Sequence, residues 1–265
     1  MSEWRRIGFL SDLHTGSLCA PWPDEYEMAA GNVICASPAQ RILRQYLDDF
    51  LSHEMREAEM IFLLGDMCQG ENRKETGRGT TTPELDAQVG AAAMLIDKIV
   101  DSRPIRGVTG SGYHQAMSMS LDKALLQKIG GNDLEKLRHV RIAGPGCVIQ
   151  VAHGVGGGAI YDGTVTDRES IMLDVAEARQ KIPYHVDLIV RGHLHHFFYM
   201  EDCSRAFLRL PCWQTWYGWD GLIGTYGKKQ PDLGGVCVDC GPKGRIVLHK
   251  RLYPAIQIHD GLMGV

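Results

Sequence analysis

Five short motifs rich in Asp, His and Gly contain the residues of this sequence whose types and spacing could do chemistry. They are Ser11-Asp12-Leu13-His14, Gly65-Asp66, Tyr113-His114, Ala152-His153-Gly154 and Gly192-His193-Leu194-His195. Carboxylate and imidazole donors together suit borderline divalent metals such as manganese, iron, zinc or nickel, and they argue against calcium. Two such ions held by a shared ligand can bind a phosphate ester and activate water as hydroxide to attack it. The motifs therefore predict metal-dependent phosphoester hydrolysis.

Two of these motifs place candidate ligands two residues apart. In an extended backbone, residues i and i+2 project to the same side, so Asp12 with His14, and His193 with His195, are each expected to chelate one centre. Asp66 follows a glycine, whose missing Cβ lets the backbone approach a metal closely. We expect Asp66 to be the carboxylate that two ions share.

Apolar runs of strand length must position these motifs. Each of five runs ends a few residues before one motif, and the runs span residues 7–10, 60–64, 105–108, 148–151 and 186–190. Because they are apolar throughout rather than alternating, they predict strands buried on both faces. Ligand sites in open α/β sheets lie at the carboxyl ends of the strands, so the motifs are expected to meet at one place.

Helix signals lie between these runs, and shorter strands follow the last run. Ser37-Pro38-Ala39-Gln40 combines a capping box with proline at the first helical position. Further helices are predicted to start at Thr82-Pro83 and at a second capping box beginning at Thr166, the latter running through Ile171, Met172, Val175 and Ala178. Four shorter strands (197–200, 205–210, 235–238 and 245–252) without helices between them predict a meander that completes a second sheet.

As an ordered set, the motifs resemble the calcineurin-like metallophosphoesterase superfamily, whose pattern is DxH, GD, GNH with an acidic residue, a later His, and GHxH. The resemblance runs from Asp12 to His195. It implies an α/β fold that is a four-layer α/β/β/α sandwich of two mixed sheets flanked by helices, with a dinuclear centre that hydrolyses phosphate esters. By motif position it implies two ligand sets, which are Asp12, His14, Asp66 and His195 for one ion, and Asp66, His153 and His193 for the other.

The third motif departs from the family pattern. Gly110-Ser111-Gly112-Tyr113-His114-Gln115 contains no Asn, and Gln115 stands where the family has an acidic residue. It is more similar to phage and prophage phosphoesterases, in which a small hydroxyl residue follows the glycine and His comes three residues later. Ser111 or water is therefore expected in place of the Asn ligand. His114 matches the catalytic His of the family and is expected to protonate the leaving oxygen or to stabilise transition-state charge.

Length and composition place limits on the protein. A chain of 265 residues that is 44% hydrophobic is expected to form a single domain over residues 1–265, and its formal charge of -4 provides no overall basic field for nucleic acid. No apolar run approaches the ~20 residues of a transmembrane helix, so we expect a soluble, cytoplasmic protein without a membrane partner. The eight cysteines are scattered, which predicts reduced thiols, and ordinary packing is expected for Cys237-Val238-Asp239-Cys240.

The substrate stays open between alternatives. The aromatic cluster from Pro211 to Trp219 is expected to pack in the core or rim, with stacking on a nucleobase as the functional alternative. This cluster and the phage-like third motif slightly favour a phosphodiester or nucleic-acid substrate. A phosphomonoesterase of a small metabolite or nucleotide would use the same ligands, and the missing Asn leaves a binding scaffold with little turnover as a third alternative. The glycine-rich segment after His153 is interpreted as a turn, and structural roles are expected for His53, His139, His185, His249 and His259.

Overall fold

The computed structural model describes residues 4–71, 77, 79–101, 103–116, 119–154, 162–215, 231–254 and 256. Its helices are α1 (Pro38–Ser52), α2 (Leu85–Ile96), α3 (Leu121–Lys128) and α4 (Asp162–Ala178). Its strands are β1 (Arg5–Leu10), β2 (Glu25–Glu27), β3 (Val33–Cys35), β4 (Met60–Leu63), β5 (Ile105–Val108), β6 (Leu134–Glu135), β7 (Leu137–Arg141), β8 (Val148–Ala152), β9 (Leu188–Arg191), β10 (Phe198–Glu201), β11 (Ala206–Arg209), β12 (Leu233–Cys240) and β13 (Ile246–Tyr253).

Two mixed sheets form the centre of the molecule. The first has the order β13-β12-β1-β4-β5-β6, and the second has the order β10-β11-β9-β8-β7. In the first sheet, β1, β4, β5 and β6 pair in parallel, while β12 pairs antiparallel with both β1 and β13. In the second, β8, β9 and β11 pair in parallel and are flanked by antiparallel β7 and β10. A separate hairpin joins β2 to β3.

Alternate residues of the central strands face two different cores. Phe9 and Phe62 point between the sheets, where their rings stack at 5.8 Å and meet Val190 of the second sheet. On the other face of the first sheet, α1, α2 and α3 cover residues such as Leu63. Leu173 of α4 covers the outer face of the second sheet. The predicted four-layer α/β/β/α fold is therefore confirmed.

The first predicted helix begins where its capping box places it. The Ser37 hydroxyl accepts a hydrogen bond from the Gln40 backbone N–H at 3.3 Å, and the Gln40 side chain accepts one from the Ser37 N–H at 3.0 Å. Leu43, Leu47 and Phe50 are fully buried on one face of this helix. Local capping and the helical spacing of apolar residues thus agree on α1.

The starts of the other two predicted helices need correction. α2 begins at Leu85 rather than at Thr82, and α4 begins at Asp162, upstream of the predicted capping box at Thr166. The Thr166 hydroxyl donates to the Gly163 carbonyl oxygen at 2.6 Å, so it bonds back along the helix instead of capping it. The apolar residues Ile171 and Met172 of α4 are exposed.

The predicted meander in the second sheet is also wrong. β10 and β11 do join the second sheet, but β12 and β13 extend the first sheet beside β1. The reason lies in β12, which is buried at all but one of its positions and so needs neighbours on both sides and cores on both faces. Cys237 and Cys240 of this strand belong to different cores, and all eight cysteines are free thiols, as predicted.

Among the described residues, no helix combines the length and the apolar character needed to cross a membrane.

The orientation of α4 can be tested by comparing two neighbouring residues. Leu173→Ala is expected to lower the free energy of unfolding by about 2 to 5 kcal/mol, because the leucine packs on Ile189 and Phe207. Met172→Ala is the matched control, and it should change the free energy by no more than about 0.5 kcal/mol, since surface substitutions are usually small. Urea denaturation of both variants measures the difference, and equal effects would contradict the orientation.

Candidate metal centre

The carboxyl ends of five strands carry the predicted motifs to one place. Asp12 and His14 follow β1, Asp66 follows β4, His114 follows β5, His153 follows β8, and His193 and His195 follow β9. Three groups of these side chains each bring their ligand atoms within 4.8 Å of one another, namely Asp12–His14–His195, Asp66–His153–His193 and His14–Asp66–His114. Because the groups share His14 and Asp66, the residues form one continuous cluster.

Short distances join the carboxylates to the imidazoles. The Nε2 atom of His153 lies 2.9 Å from Asp66 Oδ2, and that of His195 lies 3.2 Å from Asp12 Oδ1. The Nε2 atoms of His14 and His195 are 3.1 Å apart. Donor atoms of both sheets therefore surround a common space, because the second sheet supplies His153 and His195 and the first supplies the others.

The chelating pair expected from two-residue spacing holds for Asp12 with His14 but fails for His193 with His195. His195 belongs with Asp12 and His14, whereas His193 belongs with Asp66 and His153. The expectation assumed extended backbone, but His193 and His195 have φ angles of 73° and 60°. Asp12 and His14 also have left-handed φ angles, of 53° and 50°, and yet stay in one group, so two-residue spacing outside extended backbone does not decide which side chains meet. This division agrees with the ligand sets that the family resemblance implies.

Backbone strain is concentrated at the cluster. Seven described non-glycine residues have positive φ, and five of them are Asp12, His14, Asp66, His193 and His195. Such conformations are unfavourable by about 1 to 3 kcal/mol each and persist where the surrounding structure enforces them. Residues held this way in one cluster indicate a function that depends on their geometry.

Several buried polar atoms of the cluster face the shared space without a hydrogen bond. Among the described residues, they include Asp12 Oδ1 and His153 Nε2. Atoms that are buried in this way are normally satisfied by a partner, and a cation would satisfy these. The short contacts of Asp12 Oδ1 and His153 Nε2 with their neighbours lack hydrogen-bond geometry, which suits atoms directed at a common ion. The residues present therefore fit divalent metals with mixed oxygen and nitrogen donors.

Hydrogen bonds hold one oxygen of Asp12 and both oxygens of Asp66. Asp12 Oδ2 accepts from the Ser11 hydroxyl at 2.5 Å and from the His193 N–H at 3.0 Å. Asp66 accepts at Oδ1 from the Ser111 N–H at 2.7 Å and at Oδ2 from the Ser111 hydroxyl at 2.9 Å. Ser111, which was expected as a weak replacement for the Asn ligand, is thus a hydrogen-bond donor to Asp66.

Carbonyl groups hold two of the histidine rings. His153 Nδ1 lies 2.6 Å from the Leu64 carbonyl oxygen, and His114 Nδ1 lies 2.8 Å from that of Gln69. A ring whose Nδ1–H donates to a carbonyl presents the lone pair of Nε2 to the opposite side, as histidine ligands of metals do. Both rings are therefore prepared to act through Nε2.

Two glycines permit the close approach of the loops. A Cβ added at Gly192 would lie 2.2 Å from the Ser11 hydroxyl oxygen and 2.8 Å from Asp12 Oδ2. A Cβ added at Gly110 would lie 2.2 Å from Asp66 Oδ1. Only glycine leaves room for these carboxylates, so its position beside the ligands is a steric requirement.

The charges of the cluster divide the histidines into two kinds. Burial raises the pKa of Asp66, but the close contact with His153 and the positive charge of that ring outweigh this and lower the pKa to about 2. Burial lowers the pKa of His153, but the charges of Asp12 and Asp66 raise it to about 9. Burial and the neighbouring His114 lower the pKa of His14 to about 4. At neutral pH, the metal-free cluster therefore holds a protonated His153 and a neutral His14.

Some site residues had no clear signal in the sequence. Ser11 adjoins Asp12, so its role could have been suspected. Asp122, which accepts hydrogen bonds from the Met67 and Gly110 N–H groups, lies in α3 outside the motifs, and nothing local marks it. Gln69 contributes through its carbonyl oxygen, which any residue could provide. These groups position the cluster by contacts that depend on the folded chain.

Part of the aromatic cluster is described by the structure. Trp213 is buried in the core with its ring 5.6 Å from that of Phe50, which agrees with packing. Trp216, Tyr217 and Trp219 lie outside the described residues, as do residues 155–158 of the glycine-rich segment and His259. The other histidines assigned structural roles contact the protein away from the cluster, through Asp49 for His53, Tyr184 for His139, Glu177 for His185 and Asp239 for His249.

Comparisons with known proteins give structural likenesses only. No family model and no curated protein matches this sequence. Vacuolar Protein Sorting 29 from Cryptosporidium parvum is 12% identical over 94% of this chain and 98% of that chain, with a TM-score of 0.48. Wild-type Vps29 complexed with Zn²⁺ from Entamoeba histolytica is 13% identical over 93% and 98%, with a TM-score of 0.42. A novel archaeal phosphodiesterase is 12% identical over 94% and 99%, with a TM-score of 0.45. The side-chain geometry, not these likenesses, carries the functional interpretation.

The protonated His153 predicts that metal binding releases a proton. Coordination needs neutral Nε2, so the affinity for Mn²⁺ should rise with pH, by up to roughly tenfold per pH unit, until pH passes the raised pKa of about 9. His195, whose pKa is also raised, acts in the same direction. Calorimetric titration in buffers of different ionisation enthalpy counts the released protons.

The raised pKa of His153 also predicts how the stability of the metal-free protein changes with pH. Because the folded pKa of His153 is raised, its stabilising contribution is fully present below pH 6.5 and is lost as pH rises through about 9. The unfolding midpoint of the metal-free protein should fall over that window. An affinity for Mn²⁺ that does not change with pH would contradict the assignment.

Proposed function

We propose that this protein is a metal-dependent phosphoesterase with a dinuclear centre. The observation that carries the proposal is the interlocked cluster, in which strained, buried carboxylates and imidazoles from both sheets direct unsatisfied atoms at one space. Asp12, His14 and His195 would hold one ion, His153 and His193 the other, and Asp66 would be shared between them. Manganese, iron, zinc and nickel all suit this donor set.

The chemistry follows from the ions and from how this chain holds its own groups. Divalent ions bound here would neutralise phosphate oxygens and lower the pKa of water, which makes hydroxide available to attack a phosphate ester near neutral pH. The chain fixes Asp12 through Ser11 and fixes Asp66 through Ser111, so neither carboxylate needs to reorganise during the reaction. Burial of both carboxylates excludes water from one side of the centre.

His114 is proposed to protonate the leaving oxygen. Its Nδ1 is held by the Gln69 carbonyl oxygen, which leaves Nε2 as the ring atom that can transfer a proton. The ring lies beside His14, with 4.4 Å between centroids, and it is partly exposed rather than buried. A group at the solvent side of the cluster is suitably placed to meet the departing alcohol.

A phosphodiester or nucleic-acid substrate is proposed ahead of a phosphomonoester. Its support in the sequence is the similarity of the third motif to phage-type phosphoesterases and the aromatic residues Trp216, Tyr217 and Trp219. A small phosphomonoester, acted on by the same ligands, and a scaffold with little turnover are the outcomes against which this preference is tested.

Metal analysis followed by hydrolysis assays tests the proposal. The purified protein should bind two divalent ions per chain and, with added Mn²⁺, should hydrolyse bis-p-nitrophenyl phosphate faster than p-nitrophenyl phosphate. His153→Ala should lose metal and at least about 100-fold in rate, because several kcal/mol of transition-state stabilisation are removed. His53→Ala is the matched control, since His53 is exposed and lies outside the cluster. A loaded protein that hydrolyses neither compound would favour the scaffold.

Replacing His114 separates its proposed role from that of a ligand. His114→Ala should lower kcat by about 10² to 10⁴, as is usual for loss of an acid catalyst, while metal content stays at the wild-type value. The ring also lies in a group with His14 and Asp66 that could hold an ion. Loss of one ion per chain in this variant would therefore make His114 a ligand and overturn the catalytic assignment.

A further inference from the structure

Asp122 is a buried carboxylate that accepts hydrogen bonds from the neighbours of Asp66, Ser111 and His114. It lies in the first turn of α3 and is only 5% exposed. It accepts hydrogen bonds from the Met67 N–H at 3.2 Å and from the Gly110 N–H at 2.8 Å. A third bond, at 2.7 Å, comes from the Gln115 side chain. These donors directly follow Asp66, precede Ser111 and follow His114.

Asp122 connects the loops that follow β4 and β5, and these loops are also in close contact with each other at Gly65 and Gly110. A Cβ at Gly65 would lie 2.4 Å from the Gly110 backbone, so these loops have no freedom to approach further. The Ser111 N–H and hydroxyl bind Asp66 across the same junction. Contact from Gly65 and hydrogen bonds to Asp122 therefore hold the loop after β5 from two sides.

Folding stability alone does not explain an ionised carboxylate at position 122. All three donors to Asp122 are uncharged N–H groups, and no basic side chain forms an ion pair with it in the part of the chain that the structure describes. A buried charge without a cationic partner is unfavourable for folding unless its hydrogen bonds are numerous and well directed. The negative charge of Asp66 raises the pKa of Asp122 further, after burial itself. Cations bound at the cluster would relieve this repulsion.

We propose that Asp122 is a positioning residue that sets the distance between Asp66 and the loop bearing Ser111 and His114, and so tunes metal affinity. The inference rests on the proposed function, because it assumes that Asp66 is a metal ligand. Gln115 also holds this loop. Its side-chain oxygen accepts a hydrogen bond from the Leu121 N–H at 2.7 Å and so links the loop to the start of α3. The residue that stands where the family has an acid thus contacts a carboxylate supplied by α3.

Mn²⁺ binding by variants of this residue tests the proposal. Asp122→Asn removes the charge and turns an amide N–H₂ toward a backbone N–H donor, so it should weaken Mn²⁺ binding by about 10- to 100-fold, as loss of a group that orients a ligand does. Asp86→Asn is the matched control, because Asp86 is an exposed acid in the first turn of α2. Calorimetry gives the affinities, and circular dichroism with thermal unfolding verifies that each variant is folded.

The rate of phosphate-ester hydrolysis at saturating Mn²⁺ distinguishes a positioning role from a purely structural one, because excess Mn²⁺ would not restore a rate lost through a structural defect. Excess Mn²⁺ should restore part of the rate that Asp122→Asn loses, because a high concentration of the ion fills the weakened site and favours the position of Asp66 that binds it. Should that variant fail to fold, Gln115→Ala decides, since it removes one donor and leaves the carboxylate in place. Weaker Mn²⁺ binding by Gln115→Ala supports the proposal, and unchanged binding overturns it.

The outcomes separate this inference from the function on which it rests. Binding of Mn²⁺ by Asp122→Asn with wild-type affinity would overturn the positioning role alone. Failure of the wild-type protein to bind any Mn²⁺ would overturn the proposed function, and the role of Asp122 with it.

Discussion

Burial of Asp12 and Asp66 among histidines is the constraint on which the rest of the site depends. Carboxylates removed from water need compensating charge or hydrogen bonds, and here one oxygen of Asp12 is satisfied by protein donors while the other is left facing the imidazoles. The five left-handed residues lie at the same place. Strained backbone and unsatisfied polar atoms persist where the surrounding structure enforces them, and such residues cluster at functional sites.

The two sheets contribute different halves of this arrangement and are joined at it. Asp12 of the first sheet accepts a hydrogen bond from the His193 N–H of the second, and His153 of the second binds the Leu64 carbonyl oxygen of the first. Phe62 and its neighbours pack between the sheets immediately behind these contacts. Because the core is close-packed, it fixes the relative position of the sheets and hence the distance between the two ligand sets. Packing and site geometry are therefore one property of the sandwich.

The sequence predicted those parts of the site that local chemistry determines. Each apolar run was followed by a motif, and parallel strands bring their carboxyl ends together, so the convergence of Asp12, Asp66 and His153 could be anticipated. α1 was predicted because its capping box is local. The position of β12 was not, because the choice between two sheet edges depends on the completed cores. The separation of His193 from His195 was not predicted either, because the expectation assumed extended backbone and none of the four residues of the two pairs has it.

In the metal-free protein, a proton on His153 takes the place of a cation. The charges of Asp12 and Asp66 raise the pKa of His153 to about 9, so at neutral pH this ring carries positive charge between the buried carboxylates. Under the proposed function, an ion that binds here would displace this proton from Nε2. His14, with a pKa of about 4, is neutral throughout and needs no such exchange. Positive charge on His153, to which the raised pKa of His195 adds, thus balances the buried carboxylates of the metal-free protein, while His14 stays neutral.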